Sequence, residues 1–131
     1  QKLRRFVADL NQLYRSEPAL HEVDFDPRGF EWIDFHDWEQ SIVCFLRRAK
    51  NPDDFVVIAC NFTPQPRKGY LVGVPEGGFY RELLNSDSEH YGGSNLGNGG
   101  GIEAQPWPSH GRPYSLRLTL PPLAIVILKR S

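Results

Sequence analysis

The sequence predicts an all-β domain: an antiparallel β-sandwich preceded by one N-terminal α-helix. Three observations carry that prediction. Short apolar, β-branched runs follow one another from Phe30 to the end of the chain. Clusters of Pro, Gly, Asn and Asp separate them, as turns separate strands. No segment between them shows the helical period of a crossover, and parallel pairing needs connections of about a dozen residues or more.

The helix comes first. Leu3, Phe6, Val7, Leu10, Leu13 and Tyr14 recur at i, i+3, i+4 and i+7, with Lys2, Arg4, Arg5, Asp9 and Gln12 between them. Ser16-Glu17-Pro18 ends it, because proline disfavours helix at the residue before it. After the turn signal Asp26-Pro27-Arg28-Gly29, "FEWIDF" (30–35) alternates weakly. "SIVCFLRR" (41–48) and "FVVIACNF" (55–62) are apolar runs divided by Asn51-Pro52-Asp53-Asp54. "GYLVGV" (69–74) and "GFYRELL" (78–84) follow, divided by Pro75-Glu76-Gly77. "YSLRLTL" (114–120) alternates cleanly, with Tyr114, Leu116, Leu118 and Leu120 on one face. Pro121-Pro122 turns the chain into "LAIVILK" (123–129), the last of seven expected strands.

Composition narrows the function. The 131 residues make about one domain, and the mean hydropathy of -0.46 fits a globular one. No apolar run approaches the roughly 20 residues that cross a membrane. A net charge of -1 with dispersed cations gives no electrostatic reason to expect nucleic acid or an anionic membrane as partner. Cys44 and Cys60 lie in apolar runs and read as reduced, buried thiols. A chain without Met that opens inside a helical pattern reads as part of a longer protein.

The chemical motifs fail one after another. Gly99, Gly101 and Ala104 match G-x-G-x-x-A literally, but Pro106 and Pro108 follow where a phosphate-binding helix should start. Asp24 to Gly29 resembles the start of a calcium loop, yet its fifth position is Arg28 and its twelfth Phe35. His21, His36, His90 and His110 have no zinc-ligand spacing, so no metal and no cofactor is expected. No nucleophile elbow is present. The carboxylates Asp24, Asp26, Glu31, Asp34, Asp37 and Glu39 read as a solvated acidic edge, not as a catalytic pair. Asn61-Phe62-Thr63 is a formal glycosylation sequon that reads as turn chemistry.

The aromatic residues leave one opening. Indole offers a flat apolar face with a donor edge, which suits the C–H faces of sugars. Trp32, Trp38 and Trp107 lie outside the strongest strands. Asp37, Glu39, Pro106 and Pro108 flank Trp38 and Trp107, and glycines stand beside Tyr91. Trp38, Trp107 and Tyr91 are therefore the candidate sugar contacts.

Taken in order, "LYRSEPALHEVDFDPRGFEWID", "FLRR", "CNFTPQPRKGYLVGVP", "RELLNSDSEHYGGSN" and "HGRPYSLRLTLPPLA" resemble the C-terminal end of bacterial 1,4-alpha-glucan branching enzymes of the alpha-amylase clan. The resemblance spans nearly the whole chain. It implies that residues 1–21 are the terminal helix of a preceding catalytic barrel and residues 22–131 a C-terminal all-β domain. The parent reaction it implies cuts an alpha-1,4 bond, holds the glucan covalently and transfers it to a 6-hydroxyl, in the cytoplasm. The family's catalytic Asp, Glu and Asp match no residue here, so none is expected to be catalytic. The expected partners are the catalytic barrel of the same parent chain and alpha-glucan. Trp107 in "QPWPSHGRP" departs from the family pattern. The glycine-rich stretch 85–101 is expected to be a structural connector, with Asn85-Ser86-Asp87 capping a turn. The alternative is an independent β-sandwich interaction module with no carbohydrate role, which would have little need of an amphipathic first helix.

Overall fold

The computed structural model describes residues 2–22, 29–34, 41–86, 98 and 100–130. Helix α1 (Lys2–Ser16) leads into a short α2 (Pro18–His21). Eight strands follow: β1 (Phe30–Asp34), β2 (Ile42–Arg48), β3 (Phe55–Asn61), β4 (Arg67–Val74), β5 (Gly78–Asn85), β6 (Gly101–Ala104), β7 (Tyr114–Leu120) and β8 (Ala124–Arg130). One sheet has the order β1-β2-β3-β8-β5-β6, and β4-β7 form the other. Every strand pair is antiparallel.

The alternation of YSLRLTL accounts for β7. Leu116, Leu118 and Leu120 are buried, while Arg117 points outward. With Val72 and Val74 of β4 they meet Ile42, Cys44, Leu46, Val57, Val126 and Leu128 of the larger sheet. Tyr80 fills this inner core and donates its hydroxyl hydrogen to the Glu76 carbonyl at 2.8 Å.

A second core lies on the opposite face of the larger sheet. Val56, Ile58, Cys60, Leu84 and Ile127 pack there with Ala19 and Leu20 of α2. Phe6, Leu10 and Leu13 of α1 cover them. All seven residues of β3 are consequently buried. A strand covered on both faces reads as a continuous apolar run without alternation, which is how FVVIACN reads. The expected helix ends at Ser16, and Pro18 then opens α2, because proline suits the first helical position.

Two part-buried ties hold the helical layer. Lys129 of β8 donates to Glu17, in the α1–α2 joint, and to Asp54 in the β2–β3 turn at 2.7 Å. Burial works against the ammonium charge, but the two carboxylates outweigh it and raise the Lys129 pKa. Arg47 donates to the carbonyls of Leu20 and Gly29 at 3.3 and 3.1 Å.

The cysteines sit on opposite faces of the larger sheet. Cys44 lies across from Ala59 in the β2–β3 register and belongs to the inner core. Cys60, one residue further, belongs to the helix-facing core. Successive side chains leave a strand on opposite faces, so the geometry separates the two thiols and no disulfide joins them. Burial pushes the Cys60 thiol up to about 11.

β6 is the strand that local pattern did not predict. Gly101–Ala104 is short, contains a charge and has no alternation, yet it pairs with β5. Its glycine has a steric cause: a Cβ on Gly101 would lie 2.3 Å from Cζ of Phe79, whose ring covers that point of the strand. Asn98, just before it, accepts the Thr119 N–H at 2.7 Å and donates to the Thr119 carbonyl at 3.1 Å. Its side chain thus pairs with the edge of β7 like a strand backbone. The end of the glycine-rich stretch is a pinned connector entering a strand. A dinucleotide site would need a helix there.

The sequon is also structural. Asn61 is 1% exposed, and its amide nitrogen faces the carbonyls of Gln65, Leu120 and Pro121 at 2.8, 3.4 and 3.0 Å. Its oxygen accepts the Thr63 N–H and hydroxyl at 3.0 and 2.7 Å. Asn61→Asp would turn a carboxylate oxygen toward those carbonyls. We expect it to cost about 2–3 kcal/mol, the scale for stranding buried polar groups, read as a lowered urea midpoint. An unchanged midpoint would refute this role of the amide.

Candidate functional site

Edge strand β1 carries the most prominent exposed aromatic surface described. Phe30 and Trp32 are 37% and 47% exposed. They share one face of the strand, being two residues apart, and Phe45 of β2 lies opposite Trp32 in register. The Phe30 ring stacks on Phe45 at 4.9 Å and meets Trp32 edge-on at 4.9 Å, and Trp32 stands 6.0 Å from Phe45. Phe45 packs in turn against the helix-facing core. The result is a firm apolar step with one indole at its rim.

The other face of β1 is polar at the same point. Glu31 accepts from Arg48 at 3.2 Å and from Arg112 through the same carboxylate. Burial opposes the charge on Glu31, but the hydrogen bond from Arg112 and the fields of Arg48 and Arg112 prevail, so its pKa is lowered. Arg112 also donates to the Trp32 carbonyl at 3.2 Å.

Arg112 arrives there on a two-residue turn. Ser109 and Arg112 exchange backbone hydrogen bonds at 3.0 and 2.9 Å around His110 and Gly111, whose φ values are 53° and 73°. Two consecutive positive φ angles belong to a type I′ hairpin turn. The turn presses on β4, where a Cβ on Gly73 would lie 2.1 Å from the Ser109 carbonyl oxygen. The Gly73 N–H donates to Nδ1 of His110 at 3.0 Å.

The sequence-predicted contacts fall elsewhere. Trp107 is 48% exposed on the connector between β6 and this turn. Trp38 and Tyr91 lie outside the described residues, as do Asp24, Asp26, His36, Asp37, Glu39 and His90. Trp32 stood among the aromatic candidates but, between Glu31 and Ile33, lacked the charged or proline residues on both sides that selected Trp38 and Trp107. Its neighbours Phe30 and Phe45 mark it in space, and the Phe45 contact crosses strands. Among the described residues no group of three or more His, Cys, Asp or Glu is placed to hold a metal.

A second concavity, about 540 Å³, opens where α1 meets the ends of β3 and β8. Phe6, Phe62, Leu123 and Ile125 line it. Phe62 and Leu123 at its mouth are 63% and 69% exposed.

Residues 32–131 match the family described as alpha amylase, C-terminal all-beta domain. The chain belongs to this family. The curated relatives it resembles include 1,4-alpha-glucan branching enzymes GlgB. That of Rubrobacter xylanophilus is 61% identical over 97% of this chain and 18% of its own length. That of Thermosynechococcus vestitus is 60% identical over 98% of this chain and 17% of its own. The Aquifex aeolicus enzyme is 56% identical over 97% of this chain and 20% of its own. The chain thus spans a fifth or less of these relatives. Trp32 of the platform is the first residue of the matched region and lies on β1.

The lowered pKa of Glu31 sets a pH dependence. Its contribution to stability is complete above the unfolded-state value, near 4.3, and is lost as pH falls through the folded-state value. Glu31→Gln cannot titrate. The urea midpoint of the native chain should exceed that of Glu31→Gln at about pH 6, and the gap should close by about pH 3. A gap independent of pH would show that the carboxylate charge contributes nothing.

Proposed function

We propose that this chain is the C-terminal accessory domain of a 1,4-alpha-glucan branching enzyme, and that it contacts alpha-glucan through the Phe30–Trp32–Phe45 step. The observation that carries the reading is identity of 56% to 61% with such enzymes across nearly all of this chain. The parent enzyme transfers alpha-1,4-glucan chains to 6-hydroxyls, and its catalytic carboxylates belong to a barrel outside these residues. This domain supports that barrel and is itself inactive. The parent works in the cytoplasm.

The aromatic step suits a sugar polymer. A half-exposed indole braced by two phenyl rings offers a flat apolar face that needs little ordering on binding. One such face contributes about 1 kcal/mol. The affinity of the domain alone is therefore in the millimolar range. Tethering to a barrel that holds the same polymer makes so weak a contact useful, because it raises the effective concentration. Trp107 is proposed as a second contact, and Trp38 and Tyr91 as further ones on the strength of their sequence surroundings. The apolar cleft with Phe62 and Leu123 is assigned to contact with the barrel, since the matched relatives carry four-fifths or more of their length outside the aligned region. An independent interaction module is the weaker reading. The helix does not separate the two, because α1 already covers the sheet of this same chain.

Titration with maltoheptaose, followed by indole N–H signals in NMR, tests the glucan contact. Trp32→Ala should weaken binding about fivefold, the equivalent of one aromatic platform, and leave the melting temperature nearly unchanged. Native affinity in Trp32→Ala would remove the step from the reading. The chain alone should form no alpha-1,6 linkages from amylose. Branching by the isolated chain would overturn the accessory role.

A further inference from the structure

We propose that Arg112 is a positioning residue for the glucan step, acting through the backbone of Trp32. This rests on the glucan reading of the step and adds the device that aims it.

β1 is an edge strand with a neighbour on one side only. Its register with β2 slips between Trp32 and Asp34: Trp32 lies across from Phe45, while Asp34 lies across from Cys44. A bulge at such a place bends the strand and re-aims the adjacent side chain. Arg112 meets the strand there, with one guanidinium nitrogen shared between the Glu31 carboxylate and the Trp32 carbonyl. Its side chain is 13% exposed, while the Glu31 side chain is 44% exposed and the bond to Trp32 lies at the surface.

The arginine is fixed from behind. Its turn is wedged on β4 at Gly73, and the Gly73 N–H is bonded to His110. Arg112 also donates to the His110 carbonyl at 3.3 Å. A rigid path therefore runs from β4 of the smaller sheet, through the turn, to the carbonyl of the platform residue. A simple surface ion pair would need only Glu31. The bond to Trp32 is what a positioning role adds. The indole is thereby held at one angle before a sugar arrives, and binding need not order it.

The test uses the 131-residue chain with 5-fluorotryptophan, so that Trp32 gives its own fluorine signal. Arg112→Lys keeps the charge beside Glu31, but a single ammonium cannot hold the His110 carbonyl and the Glu31–Trp32 pair at once, as the two terminal guanidinium nitrogens do. We expect it to weaken maltoheptaose binding about twofold to fivefold, no more than the loss of the platform itself, and to change the width or position of the Trp32 signal without sugar. In a Trp32→Ala background, Arg112→Lys should have no further effect on binding. If Trp32→Ala binds as tightly as the native chain, the glucan reading fails and this proposal with it. If Trp32→Ala weakens binding but Arg112→Lys leaves both affinity and the Trp32 signal unchanged, only the positioning role is overturned. Equal losses from Arg112→Lys with and without Trp32 would overturn it as well. Should Arg112→Lys fail to fold, Gly73→Ala takes its place, because its methyl group pushes the turn and Arg112 off the strand. The same outcomes then apply.

Discussion

β3 has no face turned to solvent, and most of this fold follows from that constraint. One side of the strand meets the inner core against β4 and β7, and the other meets α1 and α2. A two-layer sandwich would leave Val56, Ile58 and Ile127 in water, at about 1.5–3 kcal/mol for each large apolar side chain. A third, helical layer therefore covers the outer face of this sheet. Buried charge appears where that layer must be held in register. Lys129 draws the α1–α2 joint and the β2–β3 turn onto the sheet through Glu17 and Asp54. Removing one partner of such a cluster would strand the others in a poorly hydrated place.

The functional surface uses the same scaffold differently. At β1 the helical layer no longer covers the sheet fully, and Phe30 and Trp32 emerge beside Phe45. The apolar character needed for packing continues as an exposed aromatic face where coverage stops. The smaller sheet reaches the same strand from the opposite side through Arg112. The site lies where the two sheets and the edge of the helical layer converge, and both layers constrain it.

Local pattern made most of the architecture legible. YSLRLTL announces a half-buried strand, FVVIACN a fully buried one, and Glu17-Pro18 the end of the helix. What escaped depends on contacts distant in sequence. β6 exists because β5 pairs with it and Phe79 covers its glycine, and nothing within GIEA signals that. The Arg112–Trp32 bond spans 80 residues and the Lys129–Glu17 pair 112. The motif SHGR and the tryptophan are each visible, but only the tertiary structure joins them. The flanking prolines that marked Trp107 carry no information about neighbouring rings, and the cluster around Trp32 shows only in the tertiary structure. The formal sequon at Asn61 misleads for the converse reason, since three residues cannot show that the amide is buried among carbonyls.

The claim that the helical layer belongs to this domain is tested most directly by removing α1, residues 2–16. Without Phe6, Leu10 and Leu13 the helix-facing core is open to water. The shortened chain should lose about 3 kcal/mol or more of stability, bind an apolar dye and self-associate, as read by urea unfolding and sedimentation. A monomeric chain with the native urea midpoint and no dye binding would contradict the account.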